Sequence, residues 1–276
     1  MFGRRADATL VTQVSTMRRI MPYVSPRRND SLFYMMQDIE VEAALAFVDE
    51  RNRERPADRP LTLFHLLLRA CAQALYLRPG VNRFVKSGRL WQRDGEWITF
   101  SAKKEIRDGA PMITIKNRFH PTTETLDEMV DGVYDRLAAG RAGKRTASDK
   151  EMSWMVRLPS FAIKALMVLA RVGDNLGLTP RKMIEADPLF TSVFLANLGS
   201  IHYPAGFHHL WEYGTASLFG VMGRIEPGAN GRRKISMAWT YDERIEDGLY
   251  SYYTLELIRA HLEQPERLMT TEGTPS

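Results

Sequence analysis

The stretch WTYDERIEDGLYSYY, residues 239–253, decides how this chain is read. It begins at the end of an apolar, strand-like run, RRKISMAWTYD, and the charged residues after it break that run. From Leu249 a helical pattern takes over, with Leu249, Tyr252, Leu255, Ile258 and Leu262 apolar and Pro265 as its stop. A strand becomes a closing helix here, and Glu243 and Asp247 stand four residues apart on the turn between them. What two carboxylates do at such a corner is the functional question.

Working outward, FTSVFLANLGSI and TASLFGVMGRI read as two further strands before this one. Near the other end, SLFYMMQDIEV reads as a strand and EAALAFVDERNRER as a helix with Ala44, Leu45 and Val48 on one face. LTLFHLLLRACAQALYLRPG follows as a helix with Thr62 as N-cap, an apolar stripe of Leu61, Phe64, Leu68, Cys71 and Leu75, and Pro79-Gly80 as terminator. Cys71 therefore reads as core and not as a nucleophile. Asp94-Gly95 carries a hairpin-turn signal, because both residues tolerate positive φ, and APMITIKN supplies another strand. TETLDEMVDGVYDRLAAG is a capped helix with Leu126, Met129, Val133 and Leu137 inward and Gly140 closing it, and a basic linker covers 141–150. Strands separated by irregular helices predict an α+β domain built on a mixed sheet with flanking helices. No phosphate-loop or dinucleotide glycine pattern occurs.

The chain has 276 residues, 44% hydrophobic and 26% charged, enough for a full core. Its net charge of +5 is local: in residues 1–28 six arginines (4, 5, 18, 19, 27 and 28) face Asp7 alone, so the remaining residues balance to zero. That segment reads as a solubilising arm or a subunit contact, and nucleic acid is not expected as a partner. A single cysteine excludes an internal disulfide and a thiolate zinc site and suits a reducing cytoplasm, and no apolar run of signal-peptide length follows the first arginines. LPSFAIKALMVLARV, residues 158–172, is too short and too interrupted by Lys164 and Arg171 to span a bilayer. Its wide apolar face needs cover from the core, a partner subunit or a membrane interface.

The order of NLGSI, GVMGRI, YDERIEDG and the closing LEQPERLM, preceded by MRRIMPYVSPRRND, LTLFHLLLRACAQAL, RPGVNRF, PMITIKN and TLDEMVDGVYDRL, resembles the catalytic domain of the dihydrolipoyl acyltransferases of 2-oxoacid dehydrogenase complexes and the related chloramphenicol acetyltransferases. The likeness spans about residues 15–268, with an insertion at about 145–178 as the main departure in length. It implies a chloramphenicol acetyltransferase-like fold, a homotrimer with sites between subunits, and acyl transfer between a CoA thioester and a second acceptor. The domains expected are a basic arm at 1–28, the acyltransferase-like domain at 29–268 and a tail at 269–276. The family motif His-Arg-x-x-Asp-Gly uses its histidine as the base, a task that suits a side chain of pKa near 6.5. Here Glu243 occupies that position, with Arg244, Asp247 and Gly248 matching the rest. The family hydroxyl that supports the oxyanion is replaced by Ala196, leaving Asn197 and Ser200 as candidate cofactor contacts.

His208 and His209, in the loop IHYPAGFHHLWEYG, are alternative bases, whereas His65, His120 and His261 read as surface or satisfied histidines. His208, His209, Glu243 and Asp247 include ordinary ligand types, but their spacing matches no recognised metal site and no metal is expected. A structural role for Glu243, paired with Arg244, Arg224 or another arginine, competes with catalysis. The chain carries no lipoyl domain ahead of this region, so a stand-alone cytoplasmic acyltransferase using CoA or an acyl-CoA is the first expectation. A non-catalytic trimeric scaffold or ligand-binding protein is the second. Residues 158–172 are the expected membrane-surface or protein contact.

Overall fold

The computed structural model describes residues 4–103, 112–142, 155 and 157–269. Most of the basic linker, most of the tail and the first part of the insertion lie outside them. In chain order the elements are β1 (Ala8–Leu10), α1 (Thr16–Val24), β2 (Leu32–Glu40), α2 (Glu42–Arg51), α3 (Leu63–Leu77), β3 (Arg83–Lys86), β4 (Arg89–Arg93), β5 (Glu96–Lys103), β6 (Met112–Phe119), α4 (Leu126–Arg141), α5 (Ser160–Asn175), α6 (Arg181–Ala186), β7 (Val193–Asn197), β8 (Leu218–Pro227), β9 (Arg233–Asp242) and α7 (Gly248–Glu263).

Six strands form a mixed sheet in the order β2-β9-β8-β7-β5-β6, with β7 parallel to both β5 and β8 and the other pairs antiparallel. The α+β mixed-sheet expectation is what the molecule shows. Side chains alternate across the central strands. Val193 and Leu195, Leu218 and Met222, and Met237, Trp239 and Tyr241 enter the core beneath the helices, while Phe194, Phe219, Val221 and Ala238 enter a second cluster on the opposite face. Burial on both faces explains why β7 and β8 read as nearly continuous apolar runs. Gly220 on β8 is required by this packing, since a Cβ there would lie 2.5 Å from Trp239 and 2.7 Å from Leu195.

Helix α3 lies in the middle of the core. Thr62 Oγ1 accepts from the His65 N–H, and His65 Nδ1 accepts in return from the Thr62 N–H, a reciprocal cap with histidine in the place that glutamate usually takes. Cys71 is buried and burial pushes its thiol pKa up, so it is core, as its stripe position indicates.

Three local expectations are corrected. Asp94-Gly95 is not a hairpin: Gly95 has φ 84°, but β4 belongs to a three-stranded sheet, β1-β4-β3, and β5 to the large one, so the turn passes the chain between sheets. The hairpin is β3–β4, turned by Ser87 and Gly88 at φ 54° and 68°. Gly140 lies within α4 and makes room for Ile113, which a Cβ would meet at 2.8 Å. On α7 the buried face carries Ser251, Thr254, Leu255, Ile258, His261 and Leu262, while Leu249 and Tyr252 are exposed.

The arginine-rich N-terminal segment is no loose arm from residue 4 onward. β1 pairs with β4, Arg5 reaches Asp174 at 2.8 Å, and Arg28 is buried beside Asp242. The insertion helix α5 is likewise not covered by core: Asp174 is its one buried residue.

Candidate functional site at the strand-to-helix corner

β9 ends at Asp242 and α7 starts at Gly248, so the five residues between them set the corner. Asp242 is fully buried. The Arg244 Nε and Nη2 each donate to it at 2.8 Å, and Arg28 Nε lies 3.6 Å away. Arg244 Nη1 also donates to the carbonyls of Ser25 and Pro26, at 3.1 and 2.9 Å. Arg28 donates to the carbonyls of Trp211 and Gly214. Burial pulls the Arg28 pKa below its ordinary value, and Asp242 opposes that pull. This carboxylate between two guanidiniums ties the segment after α1, the 203–217 loop and the β9 terminus into one rigid unit.

Glu243 stands outside that unit. Its N–H donates to Ser31 O at 2.9 Å and its carbonyl accepts from Arg18 Nη1 at 2.6 Å, so the backbone is pinned on both sides. Its side chain is exposed and has no hydrogen bond or ion pair among the described residues. The expected arginine pairing is therefore not formed: Arg244 is used by Asp242 and Arg224 by Glu226 at 2.7 Å. Asp247 is the N-cap of α7, its Oδ1 accepting from the Tyr250 N–H at 2.8 Å. Glu246, between them, accepts from Arg83 at 2.6 Å.

Tyr241 is a residue that the sequence reading did not single out. It is buried near the end of β9, where burial raises its phenol pKa and the negative charges of Glu243 and Asp247 add to the rise. Strand alternation places Tyr241 on the core face, but its proximity to both carboxylates depends on the fold of the corner.

The histidine pair lies over the second face of the sheet. The His208 ring stacks on Phe219 with centroids 4.3 Å apart and sits 5.3 Å from Trp211, while His209 stacks on His208 at 4.6 Å. His208 Nδ1 is 2.7 Å from the His209 carbonyl oxygen. Phe219 is in register with Thr240, two residues before Asp242 and so about 7 Å along the strand. The loop is held at its far side by Glu212, which accepts from the Arg28 and Asn29 N–H groups at 3.3 and 2.9 Å. Burial works against the Glu212 carboxylate, and these bonds more than offset it, so its pKa lies below the usual value.

Asn197 and Ser200 form a closed turn at the end of β7: the Ser200 N–H donates to Asn197 Oδ1 at 3.0 Å and the Ser200 hydroxyl to Asn197 O at 2.8 Å. The Asn197 side-chain NH2 is left with no protein partner among the described residues. Ala196 packs its methyl group against the apolar cluster around Phe194 and Phe219. The structure thus brings Glu243 and Asp247 to one corner and the histidines to a neighbouring sheet face. No contact among the described residues joins these groups directly. Nor does any set of three or more His, Cys, Asp or Glu side chains among those residues converge as a metal site.

No family model matches the chain, and no curated protein does. Solved structures do. A probable dihydrolipoamide acetyltransferase from Listeria monocytogenes 4b F2365 aligns over 96% of this chain and 97% of its own, at 14% identity and a TM-score of 0.59. The dihydrolipoamide acetyltransferase of Azotobacter vinelandii, in a study of a serine, a histidine and an asparagine in its catalytic mechanism, aligns over 94% of both chains at 16% identity and a TM-score of 0.60. A chloramphenicol acetyltransferase aligns over 95% of this chain and all of its own, at 12% identity and a TM-score of 0.57. The chain has the fold shared by dihydrolipoamide acetyltransferase catalytic cores and chloramphenicol acetyltransferase.

Proposed function

We propose that this protein transfers an acyl group from a CoA thioester to a small acceptor at the Glu243 corner, working as a homotrimer. The observation that carries the reading is the state of Glu243: a carboxylate with no partner among the described residues, on backbone fixed from both sides, beside a buried charge cluster. A side chain kept only for structure would be expected to share in that cluster. In the reaction the acceptor's hydroxyl, thiol or amine attacks the thioester carbonyl, Glu243 takes its proton, the carbon–sulfur bond breaks, and CoA leaves as the thiol on receiving the proton back. Asp247 acts as a positioning residue through its N-cap. Asn197, whose amide NH2 has no partner among the described residues, and Ser200 are the cofactor contacts on the β7 side. His208 and His209 are the alternative bases.

An ordinary carboxylate, pKa about 4.3, is a weak base towards a thiol of about 8.5. Ala196 also withholds a hydroxyl from the oxyanion, a loss that typically costs about 10² to 10³ in rate. Turnover slower than that of a His/Ser site is the consequence. Self-association is supported by exposed apolar side chains on α1 and β2, among them Met17, Ile20, Phe33, Tyr34 and Met36. A second reading, a ligand-binding protein with this fold and no turnover, is favoured by Ala196 and by the closed Asn197–Ser200 turn. Thiol release from acetyl-CoA and longer acyl-CoA, measured against hydroxyl, thiol and amine acceptors, tests the proposal. Release that depends on acceptor supports transfer, and its absence throughout the panel with saturable CoA binding supports the second reading.

A further inference from the structure

Helix α5 is apolar where it meets solvent. Phe161, Val168, Leu169 and Val172 recur at i, i+7, i+8 and i+11, so they share one face, and they are 76%, 58%, 67% and 47% exposed. Leu176 and Leu178 prolong the stripe beyond the helix end, both exposed. Exposed charge along the same segment has one sign. Lys164, Arg171 and Lys182 are exposed and have no acidic partner among the described residues. The one acid in residues 157–183, Asp174, is buried and already held by Arg5 at 2.8 Å and Lys86 at 2.5 Å.

The stripe ends at a basic cavity of about 270 Å³, lined by Arg4, Arg5, Lys86, Arg89, Leu176 and Gly177 among others. A hydrogen bond from the Ser87 hydroxyl to Asn175 O, 2.8 Å, ties the β3–β4 hairpin to the helix end. Arg5 and Lys86 are occupied by Asp174, but Arg4 and Arg89 are exposed with no acidic partner among the described residues. The cavity far exceeds the roughly 30 Å³ that one water takes in the liquid, and two unpaired guanidiniums at its rim suit a phosphate.

We infer that α5 lies flat on a bilayer surface containing anionic phospholipid, with the Phe161–Val172 face at the acyl boundary and a lipid phosphate held by Arg4 and Arg89. Sixteen residues give a helix of about 24 Å, and no helix among the described residues is long and apolar enough to cross a membrane. An apolar face rimmed by cations is the pattern of an interfacial helix. A second copy fits less well: two-fold pairing would set Lys164 and Arg171 against the same cations, with no exposed acid on the segment to neutralise them. This inference stands apart from the acyl-transfer reading.

The test is co-sedimentation of the full chain with phosphatidylcholine vesicles with and without phosphatidylglycerol, and with inorganic phosphate as competitor. Binding to the anionic vesicles alone is expected, weakened by salt. It should fall by about tenfold or more in the double variant Val168→Asp/Leu169→Asp and in Arg4→Glu/Arg89→Glu, with circular dichroism unchanged. No binding to either vesicle would overturn the inference. So would vesicle binding that survives the helix substitutions, which would place the membrane contact outside α5. A fall in oligomer mass in the helix variant without vesicle binding would assign the face to a second copy.

Discussion

Arg244 folds back onto Asp242, two residues earlier, through two hydrogen bonds of 2.8 Å, and so leaves Glu243, the residue between them, facing solvent. The pair separates the two tasks of the corner. Asp242, Arg244 and Arg28 hold the structure, and the Glu243 carboxylate stays outside their cluster.

Removing Asp242 would strand two buried guanidiniums. Asp242→Ala is expected to destabilise the fold by about 3–5 kcal/mol, the usual cost of breaking a buried ion pair from one side. Glu243→Gln, at an exposed position with no partner among the described residues, should stay within about 0.5 kcal/mol of the parent. Urea unfolding of the two variants checks this contrast.

Asp247 should behave as a cap. Asp247→Ala is expected to cost about 1 kcal/mol, and Asp247→Asn much less, because the amide oxygen can accept from the Tyr250 N–H in the same way. If Asp247 were itself the base, Asn would preserve stability and still abolish turnover, so the stability and rate of Asp247→Asn are measured together.

Introducing a histidine and a serine at the two positions where the resemblance places them should speed the proposed transfer. The double variant Glu243→His/Ala196→Ser supplies an imidazole base and an oxyanion donor, and each typically contributes about 10² or more in rate. A gain smaller than the product is expected, since groups acting on one step are not additive. Steady-state thiol release with a fixed acceptor is the check.

Acid should destabilise the fold between pH 6.5 and 4. Burial lowers the His65 and His261 pKa values to about 4, helped by Arg55 in the first case and by Arg267 and Arg69 in the second. In the unfolded chain both return to about 6.5. Across that window the unfolded state binds protons that the folded state does not, so stability rises with pH and is lost on acidification, by at most about 3 kcal/mol for each histidine. His261 Nδ1 is buried without a hydrogen-bond partner among the described residues, and His261→Leu should flatten the acid limb of stability against pH.

How much of this was legible in the sequence depended on how local each cause is. Strands β7, β8 and β9 and helix α3 were readable because alternation, an N-cap threonine and a Pro-Gly stop act within a few residues. Helix α1 was not singled out, because it is short and holds Pro22 inside. The Asp94-Gly95 signal gave the positive φ at Gly95 correctly, but the partner of β4 is chosen by a different sheet, which a dipeptide cannot show. The positions of Glu243 and Asp247 at a strand-to-helix corner were visible. That Arg28, some two hundred residues away in sequence, would be buried against Asp242 was not, because a buried charge looks like any other arginine until its partner is known.

The central claim is that the Glu243 corner accepts a CoA thioester. The most direct measurement is calorimetric titration of the protein with CoA and a series of acyl-CoA, repeated on Glu243→Gln. Saturable binding, altered by the substitution while the unfolding curve stays the same, is the predicted result. No binding at millimolar ligand, or binding that Glu243→Gln leaves unchanged together with full turnover, would contradict it.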